Sequence, residues 1–293
     1  MEKYEHEGQV FKAMRESRGL TLKQVSEGIC SSGNLSKFEN DNISIGIVTF
    51  YQLIQRLGVT LSEFNHAMND YELDDFKWFL NEIGEYYDND NVMALRQITN
   101  QLEKEIPSTK KLTYPKLNYL MAKSLLSQID NETPLTKQDK EDIIGYLLFN
   151  NHWGYFELSF FGNTMGVLDV DKLVELTNEM LGRAEYYQAI TENKSLTIQI
   201  LLNAMQKFVA EDECGTAKKI SQEIQNLIEE EHVYFKLVHK FTKGMLEFSM
   251  DNYEIGLQMM EKAIIILDEL EVNNLARRCR KTYNDALEHM KGI

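Results

Sequence analysis

The stretch TLKQVSEGICSSGNLSKFEND, residues 21–41, predicts two short helices separated by a tight turn. The first helix begins at a capping box, in which the side chains of Thr21 and Gln24 each accept a hydrogen bond from the other's backbone amide. Val25 and Ile29 give this helix an apolar side that can pack on a preceding helix. The segment GICS then ends it, because glycine and serine favour a turn over continued helix.

The second helix of this stretch has one apolar side and one polar side. Ser31 or Ser32 can cap its start, while Leu35 and Phe38 lie three residues apart and point into the same small core. The side chains left on the outer face are Ser32, Gly33, Asn34, Ser36 and Lys37. Such a face suits the major groove of DNA, where asparagine can make two hydrogen bonds to adenine and serine or lysine can reach phosphates or guanine.

Further helices on both sides complete a small bundle. Phe11 and Met14 lie on one face of a preceding helix, which ends at Gly19. The segment IGIVTFYQLIQRLGVTLSEF, residues 45–64, supplies a fourth and a fifth helix. We therefore predict a five-helix DNA-binding domain over residues 1–66.

Charge distinguishes this domain from the rest of the chain. The protein has 31 Lys and Arg against 46 Asp and Glu, a formal net charge of -15. Residues 1–65 hold seven basic and eight acidic side chains, so -14 of that charge lies downstream. Between residues 12 and 37, five basic side chains outnumber two acidic ones, which is the sign of charge that phosphate contacts need. An acidic chain can bind DNA in this way if its acidic part is held away from the duplex.

The composition favours helices throughout. Only 3 prolines and 16 glycines occur among 293 residues, and helix-forming residues are abundant, which favours an all-α protein over a β-sandwich or barrel. The three cysteines are odd in number and far apart, which indicates neither a disulfide framework nor a zinc site and fits a reducing cytoplasm. No apolar run approaches the roughly 20 residues of a membrane span, and the acidic start is unlike a signal peptide. We expect a cytoplasmic protein without a membrane segment.

The segments MRESRGLTLKQVSEG, NLSKFEND and VTFYQLIQRLGVTLSEF resemble the XRE-type helix-turn-helix domain. The resemblance implies that Arg15 on the first helix and Glu39 after the third form a structural ion pair, and that Arg15 also lies near the phosphate backbone. Members of that family often place a DNA-contacting Gln where this chain has Leu22. Lys23 or Gln24 would have to supply that contact here.

Small residues recur along the rest of the chain at separations of 38, 40, 42 and 40 residues. They are Gly84, Ala122, Gly162, Ala204 and Gly244. Around the last of them, the spacing of Gly244, Gly256 and Ala263 resembles the tetratricopeptide (TPR) pattern, in which small residues let paired helices approach closely. We predict a linker over 67–75 and a TPR-like α-solenoid over 76–293. Its predicted helix pairs span 76–105, 111–150, 154–188, 192–230 and 232–271, with a capping helix at 273–290.

Stacked helix pairs curve and leave an extended groove that suits an extended peptide. If each small residue occupies the same helical position, the residues three before and one after it face that groove. They are Asn81 and Glu85, Tyr119 and Lys123, Ser159 and Asn163, Leu201 and Met205, and Phe241 and Met245. Polar residues come early and apolar ones late, which favours a short hydrophobic peptide as the ligand. The predicted polar contacts are Asn81, Tyr119, Lys123 and Asn163.

Four parts of the chain together resemble the Rgg/MutR family of Gram-positive transcription regulators. They are the XRE-type domain, NDYELDDFKWFLNEI at the joint, LLFNNHWGYFELSFFGN in the middle and IQILLNAMQKFV later. The resemblance implies a cytoplasmic homodimer that binds palindromic promoter DNA and responds to a short imported pheromone peptide held in the repeat groove. Family members use asparagines there to hold the peptide backbone, which adds Asn150, Asn151 and Asn203 to the predicted contacts.

Enzyme chemistry finds no support in the sequence. The six histidines lack metal-ligand spacing, and no phosphate-binding loop, nucleophile elbow or Cys-His pairing is visible. We therefore expect neither catalysis nor a metal or cofactor. Two other functions remain open. In one, the first domain binds DNA but the repeats only dimerise or bind RNA polymerase; in the other, the repeats form a protein-interaction module and the first domain no longer binds DNA.

Overall fold

The computed structural model of the chain describes residues 6–109, 112–184 and 189–291. Within these ranges the regular structure is helical and contains no strand, which confirms the predicted all-α class. Packing divides the chain into two compact units, Met1–Glu82 and Ile83–Ile293. The division falls inside a helix, whereas the sequence predicts a linker over 67–75, and the assignment of domains stays a prediction.

The first unit contains the predicted bundle of five short helices. Their bounds are α1 Glu7–Ser17, α2 Leu22–Ser26, α3 Ser32–Glu39, α4 Ile47–Leu57 and α5 Leu61–Met68. Helix α1 packs on α3 and α5, while α2 packs on α3 and α4. The buried core between them includes Phe11, Val25, Leu35, Phe38 and Leu53. The apolar positions that the sequence assigns to the first three helices therefore form one core, as predicted.

Local signals in the sequence set the ends of these helices. Thr21 and Gln24 form the predicted capping box, with the Gln24 amide oxygen accepting from the Thr21 backbone amide at 2.8 Å. Ser31, and not Ser32, caps α3, because its hydroxyl accepts from the Asn34 backbone amide at 3.1 Å. Gly19 follows α1 with a φ of +65°, a left-handed conformation that glycine adopts without steric cost.

The remaining helices follow the predicted repeats. Their bounds are α6 Asp75–Asp88, α7 Val92–Glu105, α8 Tyr114–Ile129, α9 Lys137–Phe149, α10 Tyr155–Thr164, α11 Val170–Ala184, α12 Thr191–Ala210, α13 Cys214–Leu227, α14 Val233–Ser249, α15 Tyr253–Glu269 and α16 Asn273–Lys291. Each predicted pair contains two of these helices in sequence, and α16 matches the predicted capping helix. Residues 111 and 185–188 of two predicted pairs lie outside the described residues, as do residues 1–5 and 292–293 of the predicted domains.

The alternate helices α8, α10, α12 and α14 pack against one another in succession. Other helices cover this row: α7 packs on α8, α13 on α12 and α15 on α14. The row therefore forms one continuous layer in the second unit. None of the described helices is both long enough and apolar enough to cross a membrane.

Two helices pack closely where the sequence predicts it, between α14 and α15. A Cβ atom on Gly244 would lie 2.8 Å from the Gly256 carbonyl oxygen, and one on Gly256 would lie 2.7 Å from the Gly244 carbonyl oxygen. Ala263 is fully buried in the same pair. By contrast, a Cβ on Gly84 would meet no atom of the described residues within 4 Å. The small-residue repeat therefore marks tight packing at its end and not at its start.

Candidate functional site

Helix α3 of the first unit presents the small polar face that its sequence predicts. Leu35 and Phe38 are buried in the core, which turns the opposite side of α3 outward. Gly33, Asn34 and Lys37 are exposed on that side. Since the side chains of Asn34 and Lys37 are free to extend, they can donate and accept hydrogen bonds beyond the domain.

The two serines of the predicted face have different surroundings. Ser32 is half-buried, and its hydroxyl lies 2.9 Å from the hydroxyl of buried Ser26 on α2. This hydrogen bond ties the start of α3 to α2. Ser36 is also half-buried and lies one residue before Lys37. Ser32 therefore sets the position of α3, and Asn34 and Lys37 carry the part of the face that can reach a partner.

Arg15 is fixed inside the domain by a buried ion pair. Its Nε and Nη2 atoms donate to the two carboxylate oxygens of Glu39 at 2.6 and 2.7 Å. Nη1 donates to the Leu20 carbonyl at 2.7 Å, and Nη2 also contacts Glu16 at 3.2 Å. The hydrogen bonds from Arg15 to Glu39 raise the pKa of Arg15 above its ordinary value. Burial of the guanidinium lowers this pKa, but by less. The pair joins α1 to the end of α3, and contact between Arg15 and DNA stays a prediction.

The start of α2 offers two exposed polar residues beside α3. Leu22 is half-buried and packs against the core, while Lys23 and Gln24 are exposed. The oxygen of the Gln24 side-chain amide is held by the capping box, since it accepts from both the backbone amide and the hydroxyl of Thr21. Lys23 is therefore the freer of the two candidates for a contact at this position.

Arg56 on α4 supports this part of the domain and was not identified from the sequence. Its guanidinium donates to the backbone carbonyls of Gln24 at 3.1 Å and Glu27 at 3.2 Å. These carbonyls lie at the end of α2, where helix geometry leaves carbonyl groups without partners. A basic residue in the last turn of α4 is an ordinary helix feature, so the sequence around Arg56 carries no signal for this role.

The second unit contains a cleft of about 700 Å³ that is lined by helices distant in sequence. Its apolar wall includes Leu125, Leu202, Val238, Phe241 and Met245. Its polar lining includes Gln128, Gln199, Asn203, Gln206 and Lys207. Apolar side chains combined with amides and one ammonium group can accommodate apolar side chains and hydrogen-bond a peptide backbone at the same time.

The predicted phase of the groove holds for one repeat and is wrong for another. Phe241 and Met245, three before and one after Gly244, both line the cleft as predicted. Leu201 and Met205 have the same spacing around Ala204, but neither is among the residues that line the cleft, and both are fully buried. Helix α12 instead lines the cleft with Gln199, Leu202, Asn203, Gln206, Lys207 and Ala210. The small residues therefore indicate where helices pack closely, but they do not determine which side of a helix lines the cleft.

Of the seven predicted polar peptide contacts, all of them described, Asn203 lines the cleft and is exposed. Asn150 and Asn163 donate to carbonyl groups of their own helices, those of Tyr146 and Ser159, both at 2.8 Å. Asn81 and Asn151 are exposed and are not among the residues that line the cleft, and Asn81 belongs to the first unit. The structure thus does not bring these asparagines together, and their contacts with a peptide stay predictions.

Tyr119 and Lys123 belong to a polar network on the α8–α9 side of the second unit. Lys123 Nζ donates to Asp139 at 2.7 Å, and Lys116 Nζ donates to the same carboxylate at 3.1 Å. Burial alone would raise the pKa of Asp139, but bonds from Lys123, Thr136 and Lys116 lower it to about 2. Tyr119 is buried, and both lysines lie near its ring. Both side chains therefore have partners within the fold, and their contacts with a peptide stay predictions.

The mouth of the cleft carries two contacts between distant helices. The Arg278 guanidinium on α16 lies 3.1 Å from the Asp88 carboxylate at the end of α6, and Tyr87 donates to Gln128 at 3.4 Å. Lys207 also lines the cleft, and its Nζ donates to the Gly166 carbonyl at 2.7 Å. Lys207 and Arg278 are not predicted from the sequence, because neither occupies a repeated position and α16 is predicted only as a cap.

Comparison with known proteins identifies both parts of the chain. The family model for the C-terminal domain of the HTH-type transcriptional regulator Rgg matches residues 96–281. A helix-turn-helix model matches residues 11–64.

Several solved structures share the fold over nearly the whole chain. The SHP pheromone receptor Rgg2 of Streptococcus dysgalactiae has a TM-score of 0.81 at 20% identity, covering 95% of this chain and 99% of that one. A protein of Listeria monocytogenes EGD-e has a TM-score of 0.84 at 18% identity, covering 98% and 99%. PrgX, solved in complex with cCF10, has a TM-score of 0.72 at 16% identity, covering 97% and 92%.

The matched families are those of transcription regulators and not of enzymes. The helix-turn-helix match begins within α1 and ends within α5, so the exposed face of α3 belongs to a DNA-binding fold. The Rgg match covers more than half of the chain, including most of the residues that line the cleft. The protein therefore belongs to the family of HTH-type transcriptional regulators Rgg.

Proposed function

We propose that the protein is a cytoplasmic transcription regulator of the quorum-sensing type, which binds palindromic promoter DNA as a homodimer and is controlled by a short hydrophobic peptide. The observation that carries this proposal is the pairing of two sites in one chain. The first unit exposes the polar face of α3, and the second unit encloses a cleft with apolar walls and amide groups. Each site has the chemistry that one of the two ligands requires.

Recognition of the DNA sequence by the first unit depends on α3. Asn34 has the geometry to bond adenine through two hydrogen bonds, and Lys37 can reach guanine or a phosphate. Gly33 leaves space for close approach, and Lys23 supplies a phosphate contact from α2. Ser36 and Gln24 contribute at the edge of the same face. Arg15 and Ser32 act through the structure, because their bonds to Glu39 and Ser26 hold α3 in place.

Peptide control rests on the cleft. Gln199, Asn203 and Gln206 offer amides for a peptide backbone, and Phe241 and Met245 offer apolar contact for its side chains. Two proteins of this fold support the proposal: Rgg2 is described as a receptor for the SHP pheromone, and PrgX was solved in complex with cCF10. A volume of about 700 Å³ is within the range that encloses a short peptide segment.

Dimer formation is supported by an apolar surface at the start of α4. Ile47 and Val48 are 69% and 70% exposed, and Tyr51 is 44% exposed one helical turn later. Residues three and four apart share one helix face, so the three side chains form a single patch. Covering such a patch removes apolar area from water, which favours association of two DNA-binding units.

The test of the DNA proposal is a genomic pull-down with the full-length protein, followed by sequencing of the retained fragments. We expect the wild type to enrich a palindromic site. Asn34→Ala and Lys37→Ala should each weaken specific binding by about 1–3 kcal/mol, because each removes a contact to a base or phosphate. Their double variant should enrich no site.

Lys12→Ala is the matched control, since it removes one positive charge from the same unit but lies on α1. It should lower affinity for all DNA sequences similarly and leave the enriched site unchanged. Retention of the same site by the Asn34/Lys37 double variant would contradict the assignment of α3. A palindrome next to an open reading frame for a short apolar peptide would in addition supply a candidate ligand for the cleft.

A further inference from the structure

The charged residues that line the cleft are few, and their net charge is opposite in sign to that of the whole protein. The chain as a whole has a formal charge of -15. Among the described residues, the charged side chains that line the cleft are Asp88, Lys207 and Arg278, which together carry a charge of +1. A local excess of positive charge in a strongly acidic protein favours an anionic group on the ligand.

Lys207 has a neutral partner. Its ammonium donates to the backbone carbonyl of Gly166 at 2.7 Å. Within the described part of the chain, no carboxylate lies within 4 Å of it, whereas the half-buried Lys123 and Lys116 both contact Asp139. The positive charge of Lys207 is therefore not compensated by the protein and is available to an anion in the cleft.

Arg278 has a charged partner that can be exchanged. Its side chain and that of Asp88 are 57% and 60% exposed, and a single contact of 3.1 Å joins them. An exposed pair of this kind is weak, because water solvates both charges. The planar guanidinium can also bind a carboxylate through two parallel hydrogen bonds, which is stronger than its single contact with Asp88.

We propose that Lys207 and Arg278 bind a carboxylate of the peptide, and that Asp88 occupies Arg278 until this carboxylate replaces it. The inference rests on the proposed peptide function and specifies the ligand: a short apolar peptide that carries a carboxylate, either its C-terminus or an Asp or Glu side chain. The amides of Gln199 and Asn203 then hold the backbone, and Phe241 with its apolar neighbours holds the side chains.

The experiment uses the full-length protein and a synthetic library of random octapeptides built from Gly, Ala, Val, Leu, Ile, Phe, Asn and Asp. The library is prepared once with free C-termini and once with C-terminal amides. Bound peptides are separated by gel filtration and identified by mass spectrometry. We expect the wild type to retain peptides that carry at least one carboxylate. Selection of free C-termini without Asp identifies the terminus as the anion, and selection of amidated peptides with Asp identifies a side chain.

Four variants then separate carboxylate binding from a structural role, with affinities measured on the best retained peptide. Arg278→Gln and Lys207→Gln should each weaken its binding by about tenfold or more, because each removes a charged hydrogen bond. Asp88→Asn should instead strengthen binding several-fold, because it removes the competing anion. Arg277→Gln is the matched control, since Arg277 contacts Asn274 on its own helix and does not line the cleft.

The variants Asp88→Asn and Arg278→Gln both break the same ion pair, so a purely structural role predicts changes in the same direction. Weaker peptide binding in Arg278→Gln together with stronger binding in Asp88→Asn supports the proposal. Equal retention of peptides with and without carboxylates would overturn the inference and leave peptide binding standing. Retention of no peptide from either library would overturn the proposed peptide function together with the inference, while the DNA pull-down would still test the first unit separately.

Discussion

The DNA-binding helices and the cleft differ in how far apart in sequence their determining residues lie. In the first unit, the caps of α2 and α3 each involve residues three apart, Thr21 with Gln24 and Ser31 with Asn34. In the second unit, the cleft draws on helices from α6 to α16, and the contact at its mouth joins Asp88 to a residue 190 positions later. The first site is therefore set mainly by local chemistry, and the second by the packing of the whole repeat.

This difference also concerns how each unit holds its polar groups. In the first unit, one bidentate ion pair between Arg15 and Glu39 joins the first and third helices. In the second unit, buried polar residues are distributed over several helices, among them Asp139 and His239. We expect a single substitution to have a larger effect on stability in the first unit than in the second.

The largest effect is expected from Glu39→Ala. The substitution leaves the guanidinium of Arg15 buried without its carboxylate, which costs about 3–5 kcal/mol of stability. Hydrogen exchange measured by mass spectrometry on the full chain should show faster exchange across residues 7–68 and unchanged exchange across 114–269. The repeats thus serve as an internal control for the variant.

A double variant tests whether the lost stability comes from the unpaired charge or from lost packing of the two side chains. The double variant Arg15→Met with Glu39→Met replaces both charges by apolar side chains, and it should regain most of the lost protection. Arg18→Ala should have little effect, since Arg18 is exposed and bonds the Met14 carbonyl and the Ser17 hydroxyl. Normal exchange in Glu39→Ala would show that the first unit is held together by packing and not by this ion pair.

A smaller effect, dependent on pH, is expected in the second unit from His239. Burial, and then the charge of Lys243, lower the pKa of this imidazole to about 4 from 6.5. Between these values the unfolded chain binds a proton that the folded protein does not, so stability falls as pH falls. The full loss is about 3 kcal/mol, which begins near pH 6.5 and is complete near pH 4.

Urea unfolding followed by the fluorescence of buried Trp153 measures this loss. His239→Gln should flatten the dependence of stability on pH in that window, since glutamine does not titrate and can still bond Ser221, whose hydroxyl lies 2.8 Å from the imidazole. Lys243→Gln should flatten it partly, while Lys240→Gln on the same helix serves as a matched control. An unchanged slope in His239→Gln would show that other groups dominate the acid sensitivity of the repeats.

The sequence predicts the first unit well because its signals are local. The five helices, the capping box at Thr21, the outward face of Asn34 and Lys37, and the pair of Arg15 with Glu39 all follow from short spacings or from the family resemblance. In the repeats, the helix pairs and the close approach at Gly244 are also predicted correctly.

The lining of the cleft could not be predicted in the same way. In α14 the cleft is met by residues three before and one after the small residue, but in α12 by residues one before and two after it, such as Asn203 and Gln206. The rotation of each helix depends on its neighbours, which periodicity along one helix does not encode. Arg278 lies in a helix with no repeat partner, so no pattern in the sequence indicates its position at the mouth.

The smallest effects test whether the small-residue repeat marks packing at both of its ends. Gly256→Ala should destabilise the protein by about 1–3 kcal/mol, because the added carbon would lie 2.7 Å from the backbone of α14. Gly84→Ala should instead stabilise it by about 0.5–1 kcal/mol, since its surroundings are open and alanine favours the helix. The midpoints of urea unfolding show whether each substitution stabilises or destabilises the protein.

Opposite signs would show that one sequence pattern has two physical meanings in this chain. At Gly256 the absence of a side chain allows two helix backbones to touch. At Gly84 it only makes helix α6 less stable than it would be with alanine at this position. If both variants were destabilising, Gly84 would contact something that the structure of the single chain does not contain, such as a second copy of the protein. If both were neutral, the α14–α15 pair would be able to separate at little cost, and its tight contact could not be what fixes the wall of the cleft formed by Phe241 and Met245.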